Sequence, residues 1–299
     1  MKLPDARSPL KLVARRLVFP VVEGVWAVLF SVAGLVARPH PRRWSSSGGE
    51  RVLVIAPHPD DETLGCGGVI ALHLRAGDTV TVAIVTDGGG SRAGGLSRER
   101  IVALRREEAR EAVGRLSGAT LMQMGLPEGE WRHEELVERL SALLSETKPH
   151  VIYSTSCVDF HPEHIRVALA LASALNAAGE GSCNCVRVYE VQVPLTPILA
   201  NLAAPIGPVV HLKAQALLAY RTQLPALPWS PRLARYNGRL YGCDGPTEVF
   251  WEMSPEAYIA ALAANREPVP YRGLRPRPFS DGLAWLVGLR ERRNLMRDT

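Results

Sequence analysis

Arg51-Val-Leu-Val-Ile-Ala-Pro-His-Pro-Asp-Asp-Glu62 is the stretch whose reading decides the fold. Arg51 to Ala56 is a short, apolar, β-rich run stopped by Pro57, the pattern of a strand buried on both faces. Thr63 to Ala76 reads as a helix, with Gly77-Asp78 as its stop. Thr79 to Thr86, TVTVAIVT, is a second strand and runs into Asp87-Gly-Gly-Gly90. Strand, helix, strand in this spacing is the opening of a βαβ unit, whose two strands lie parallel.

The same alternation continues outward. Gly88–Leu96 reads as a loop and Ser97–Leu116 as a long, charge-laced helix stopped near Gly118. Thr120–Met124, Val151–Ser156 and Val186–Val193 read as further strands, separated by helices over Glu134–Glu146 and Glu163–Ala178. The expected class is α/β, a Rossmann-like, mostly parallel sheet flanked by helices, with its site at the carboxyl ends of the strands. After residue 195 the pattern is less regular and richer in Pro, and no internal repeat is visible.

The chain has 299 residues, 46% hydrophobic and 22% charged, which is a globular balance. Its net charge of +5 is uneven: residues 1–43 carry eight Lys/Arg against Asp5 and Glu23, and residues 272–299 carry seven Arg. The middle is net acidic, so a nucleic-acid partner is not expected. Five cysteines in no regular framework argue against a disulfide scaffold, and Cys183-Asn-Cys185 is too tight for a zinc knuckle.

Leu17 to Ala37 reads LVFPVVEGVWAVLFSVAGLVA, flanked by Arg15, Arg16 and Arg38. A single-pass anchor, an interfacial helix, a signal peptide and a buried helix all compete for it. Arg38-Pro-His-Pro-Arg is a poor cleavage site, so the expectation is an N-terminal apolar helix making membrane contact through residues 11–43. That reading gives a membrane-associated protein with a cytoplasmic catalytic domain. Three parts follow: residues 1–43, a catalytic domain over 44–265 after a linker-like stretch at 40–50, and a basic Pro/Arg-rich tail over 266–299.

The chemistry-bearing residues fall after strands. His58 and Asp61 offer an imidazole and a carboxylate, both good zinc ligands. Asp60 and Asp61 are adjacent and need not do the same job: one can bind metal while its neighbour takes a proton from the metal-bound water. Asp159-Phe-His161-Pro-Glu163-His164 follows the fourth strand. His164 completes a His-Asp-His set, and three protein ligands plus a water is the catalytic pattern. His161 could then protonate a leaving amine or stabilise an oxyanion. Either motif alone could be helix-capping chemistry; both at strand ends of one parallel sheet are harder to explain that way. Gly65-x-Gly67-Gly68 lacks dinucleotide-binding spacing and reads as close packing of helix on strand, with Cys66 on the packed surface.

Pro57-His-Pro-Asp-Asp-Glu62 and His161-Pro-Glu-His164 together resemble the signatures of the zinc-dependent deacetylase family. That family includes LmbE-like proteins, N-acetylglucosaminyl-phosphatidylinositol (PIG-L) deacetylases and deacetylases of mycothiol and bacillithiol precursors. Thr86-Asp87-Gly88, Arg105-x-x-Glu108, Gly125-Leu-Pro-Glu128-Gly, Lys213–Gln223 and Thr247-Glu-Val-Phe250 extend the resemblance over roughly residues 50–255. It implies His58, Asp61 and His164 as zinc ligands, Asp60 as general base and His161 as the polarising or proton-donating group. It also implies Arg105 and Glu128 at sugar hydroxyls, with Asp87 supporting the site from beside it.

The implied reaction is deacetylation of an N-acetylglucosamine-type conjugate, free or lipid-linked, by Zn2+, with Fe2+ or Co2+ acceptable to the same donors. Glu163 departs from the family's Asp, which steadies a neighbouring histidine, and Glu128 stands where Asp is common. The alternatives are hydrolysis of another small N-acyl amide, a non-catalytic, membrane-tethered sugar-binding module and, last, a nucleotide-binding oxidoreductase.

Overall fold

The run from Arg51 to Ala56 forms a strand inside a mixed sheet. The computed structural model describes residues 40–91, 95–155, 159, 161–191, 195, 199–223 and 230–264, with helical positions 21, 24, 25, 28, 32 and 35. In chain order the elements are β1 (Arg42–Arg43), β2 (Arg51–Ala56), α1 (Asp61–Ala76), β3 (Thr79–Thr86), α2 (Arg98–Arg115), β4 (Thr120–Leu126), α3 (His133–Thr147), β5 (Val151–Ser154), α4 (Pro162–Ala178) and β6 (Cys185–Tyr189). Then come β7 (Leu202–Pro205), a 3-10 turn at Gly207–Val209, α5 (Val210–Leu217), α6 (Ser230–Leu240), β8 (Thr247–Met253) and α7 (Pro255–Ala264).

The sheet order is β1-β7-β8-β6-β5-β2-β3-β4. All neighbours pair in parallel except β8, which runs antiparallel to both β6 and β7. Alternation along β2 shows the layers. Leu53 and Ile55 face one core with α3, α4, α6 and α7, whereas Val52, Val54 and Ala56 face a second core with α1, α2 and α5. Both faces are covered, which is why β2 reads as an unbroken apolar run. Each fully buried Leu or Ile in these layers contributes about 1.5–3 kcal/mol.

The Gly65–Gly68 run presses α1 onto the sheet side of the molecule. A Cβ at Gly65 would run into the ring of Tyr189, and one at Gly68 into Ile206. Cys66 is fully buried in the same layer, and burial raises its thiol well above the ordinary value, so it supplies no thiolate.

Three expectations change. The stretch at 40–50 is not a free linker: Arg42 and Arg43 pair with Leu202 and Ala203, and Trp44 packs edge-on against His73. The region after residue 195 adds two strands to the sheet, one of them the antiparallel insertion. The membrane expectation is overturned: among the described residues no helix is long and apolar enough to cross a membrane. The apolar helix expected over 17–37 lies mostly outside the described residues, as do the tail at 266–299 and Cys157.

Candidate active site

Four strand ends build the site. β2 ends at Ala56 and delivers His58, Asp60 and Asp61. β3 ends at Thr86, before Asp87, and β4 at Leu126, before Glu128. β5 ends at Ser154, ahead of Asp159, His161, Glu163 and His164. Parallel strands bring these turns to one edge of the sheet.

The turn after β2 is strained. Asp60 has φ 127° and ψ −26°, in the left-handed region that a side chain disfavours, and such a residue costs on the order of 1–3 kcal/mol. Its surroundings hold it there. The Asp60 amide donates to Glu62, its carbonyl accepts from the amides of Thr63 and Leu64, and Tyr220 Oη donates to the buried Glu62 carboxylate. Arg105 is buried behind the turn. Its Nη2 donates to the Pro59 carbonyl and lies 3.5 Å from Asp60 Oδ1. Burial raises the Asp60 carboxyl to about 7, against the pull of the Arg105 guanidinium.

His58 and His164 converge on Asp61. His58 Nδ1 and His164 Nε2 each lie 3.1 Å from Asp61 Oδ2. Their outer nitrogens face other carboxylates: His58 Nε2 is 2.7 Å from Glu163 Oε2, and His164 Nδ1 is 3.0 Å from Asp159 Oδ2. His161 is the N-cap of α4, half-buried, with its ring 4.4 Å from that of His58 and 5.0 Å from that of His164. Its Nδ1 accepts from the Glu163 amide at 3.4 Å.

Among the described residues the ligand atoms of His58, His161 and His164 lie within 4.8 Å of one another, as do those of His58, Glu128 and Glu163, so the site has donors enough for a divalent cation. Ligand atoms about 2.1 Å from a tetrahedral zinc ion stand roughly 3.4 Å apart, close to the two 3.1 Å separations. A ligating histidine usually offers its other nitrogen to a carboxylate; His58 does so with Glu163, and His164 Nδ1 has the Asp159 carboxylate 3.0 Å away. The charge agrees. Asp60, Asp61, Asp159 and Glu163 are all buried. Burial opposes a proton on His58, but Asp61 and Glu163 outweigh it and lift the ring to about 9. His164 is likewise raised well above the usual imidazole value, against burial, by Asp159 and Asp61. A site that draws protons onto two buried imidazoles is one that a cation would occupy in their place. His161 differs: burial, with His58 and His164 beside it, lowers it to about 4, so its ring is neutral near pH 7.

Glu128 lines the same space, with Oε1 3.8 Å from His58 Nε2 and Oε2 accepting from the Gly90 amide. Asp87 stands behind it, its Oδ1 accepting from the amides of Gly89 and Glu128. Sequence reasoning missed Asp159, Gly129 and Trp131 as parts of the site. Asp159 was legible as a carboxylate in the second motif. Gly129 and Trp131 enter only because the β4–α3 loop folds over Glu163, which accepts from the Gly129 amide and Trp131 Nε1.

Fold and site together define an α/β protein with a buried histidine–carboxylate cluster that could hold a metal ion. The chain belongs to the PIG-L family, described as GlcNAc-PI de-N-acetylase, whose model matches residues 53–175. It is 30% identical over 186 residues to a probable N-acetyl-alpha-D-glucosaminyl L-malate deacetylase 2 of Bacillus subtilis, covering 58% of this chain and 83% of that protein. Among solved structures it resembles the N,N'-diacetylchitobiose deacetylase of Pyrococcus horikoshii, with TM-score 0.61 and 22% identity over 70% of this chain and 85% of that one. It also resembles GalB, the 4-carboxy-2-hydroxymuconate hydratase of Pseudomonas putida, with TM-score 0.59 and 22% identity over 68% and 95%. Likeness at that identity establishes the fold alone, and the fold hosts more than one chemistry.

Proposed function

We propose that the protein is a divalent-metal-dependent N-deacetylase that removes the acetyl group from an N-acetylglucosamine-type conjugate, with its catalytic unit in residues 44–265. The observation that carries this reading is the convergence of His58 Nδ1 and His164 Nε2 on Asp61 Oδ2, each ring backed by a carboxylate. The ion would be held by His58, Asp61 and His164. Zinc is the expected metal, and Fe2+ or Co2+ meets the same donors. When bound, such an ion supplies Lewis-acid activation of water and of an amide carbonyl.

The protein's own residues do the rest. Asp60 stands next to the ligand set without joining it, and takes the proton from the attacking water. The water oxygen adds to the acetyl carbon. His161 donates to the developing oxyanion from its neutral ring. The C–N bond then breaks, the proton held by Asp60 passes to the departing amine, and acetate and the free aminosugar are released. Glu128 is assigned to the sugar, with Asp87 supporting it; Arg105, expected at the sugar, is buried on the Pro59 carbonyl and is assigned instead to holding Asp60, and Glu163 to holding His58. The family and the Bacillus relative's aminosugar substrate support the choice of an acetamide on glucosamine.

The test is metal content and acetate release with a panel of N-acetylglucosamine conjugates, for the wild type and for His164→Ala. One metal ion per wild-type chain, lost in the variant together with acetate release, is the expected result. A folded wild-type protein that takes up no zinc, iron or cobalt would overturn the reading. Release only from simple N-acyl amines would move the substrate away from sugars.

A further inference from the structure

The residue between the two histidines of the second motif is Glu163. Its carboxylate does not turn to His161. The contact there comes from the Glu163 backbone amide, which donates to His161 Nδ1. The side chain crosses instead to β2's turn, where Oε2 lies 2.7 Å from His58 Nε2. The other oxygen, Oε1, accepts from the Gly129 amide at 2.7 Å and from Trp131 Nε1 at 2.8 Å. The residue is 4% exposed, so these partners take the place of water.

Trp131 is itself fixed. The Arg166 guanidinium lies 3.8 Å over its ring, and Arg166 Nη2 donates to its carbonyl. A continuous line therefore runs from Arg166 on α4 through Trp131 and Glu163 to His58. The loop that carries Glu128 is bonded into that line at Gly129. Reach is the deciding quantity. Pro162 and Glu163 open α4, so the backbone at residue 163 is set by the helix. An Asp at that place is shorter by one C–C bond, about 1.5 Å, and could not serve His58 and the loop together.

We propose that Glu163 is a positioning residue that fixes the His58 ring, with Nδ1 turned toward Asp61 and His164, and ties that ring to the Glu128 loop. The proposal rests on the ligand set given under Proposed function. The additional methylene of Glu, which Asp lacks, is what permits both attachments. With Nε2–H donating to Glu163, His58 presents a bare Nδ1 to the ion.

Zinc affinity tests this directly, by competition with a chromophoric chelator. The proteins are the full-length wild type, Glu163→Asp, Glu163→Gln, Trp131→Phe and His164→Ala, with melting of each metal-free protein as a check on folding. Glu163→Asp and Glu163→Gln are expected to bind one zinc ion about 10- to 100-fold more weakly than wild type. Saturating zinc should restore most of their acetate release. Trp131→Phe removes one donor to Oε1 and should weaken zinc less. Combined with Glu163→Gln it should add little, because the two changes cut the same line.

Wild-type zinc affinity in both Glu163 variants would overturn the proposal and leave the deacetylase reading standing. Loss of zinc as complete as in His164→Ala would also overturn it, by making Glu163 a ligand. A wild type without metal would sink both readings together. If Glu163→Gln does not fold, Glu163→Asp and Trp131→Phe decide the matter.

Discussion

Lys213 Nζ lies 2.7 Å from Glu248 Oε1 with both side chains almost fully buried, and the pair is inserted against the backbone of α1. Lys213 Nζ donates to the Leu64 carbonyl, while the two Glu248 oxygens accept from the amides of Gly68 and Val69. Leu64 carbonyl and Gly68 amide are i, i+4 partners in a regular helix, and here the ion pair serves both. The glycines make room for it. Lys213→Met leaves Glu248 buried and unpaired, and is expected to cost roughly 3–5 kcal/mol. Urea unfolding measures this. Adding Glu248→Gln should recover part of the loss, and no loss in Lys213→Met would show that water already serves the pair.

Two glycines in helices should respond to the same change with opposite sign. Gly65→Ala sets a methyl against the Tyr189 ring, which its own Oη anchors to the Ile55 carbonyl. Overpacking of this kind costs about 1–3 kcal/mol. Gly114 in α2 is exposed, and a Cβ there meets nothing within 4 Å. Gly114→Ala should stabilise by about 0.4–1 kcal/mol, because Ala restricts the unfolded chain. Thermal melts of the two variants separate these effects.

Asp60→Asn should lower kcat/KM by about 10²- to 10⁴-fold, the usual contribution of a general base. Zinc content should stay at the wild-type level, since Asp60 is outside the proposed ligand set. Loss of zinc in this variant would instead place Asp60 on the ion.

At the opposite end of the sheet, His73 Nδ1 bonds to Asp78 at 2.6 Å and its Nε2 to Tyr153 Oη at 2.9 Å. Burial lowers this ring to about 4 from 6.5, despite Asp78. In the unfolded chain the ring takes up a proton below about 6.5, whereas the folded protein resists until about 4. Stability from this group is therefore complete above pH 6.5 and is lost as pH falls toward 4, by up to about 3 kcal/mol. Urea unfolding at pH 7 and pH 5 should show a steeper fall for wild type than for His73→Gln. Equal slopes would remove His73 as the source.

The first half of the fold was legible from strands that announce themselves. TVTVAIVT and RVLVIA are buried on both faces, so their composition alone marks them, and the observed bounds of β2 and β3 are those expected. The antiparallel insertion of β8 was not legible. TEVFWEM has the content of a strand, but nothing local says that it enters between β6 and β7. Arg42–Arg43 pairs for the same kind of reason, through backbone bonds that any side chain permits. The weak matches at Lys213–Gln223 and Thr247–Phe250 acquire a physical meaning in three dimensions. Lys213 pairs with Glu248, Tyr220 holds Glu62, and Thr222 bonds to Glu108, so the two segments brace α1 and α2 from behind.

The sequence by itself determined that parallel strands alternate with helices and that two histidine–carboxylate motifs follow strands, because hydrophobic period and residue chemistry are local properties. Only the tertiary structure decided which atoms meet. His58 and Glu163 are far apart in the chain, and their bond depends on β2 lying beside β5 and on one methylene of reach. Register and side-chain length act together there, and no local stretch of sequence contains both.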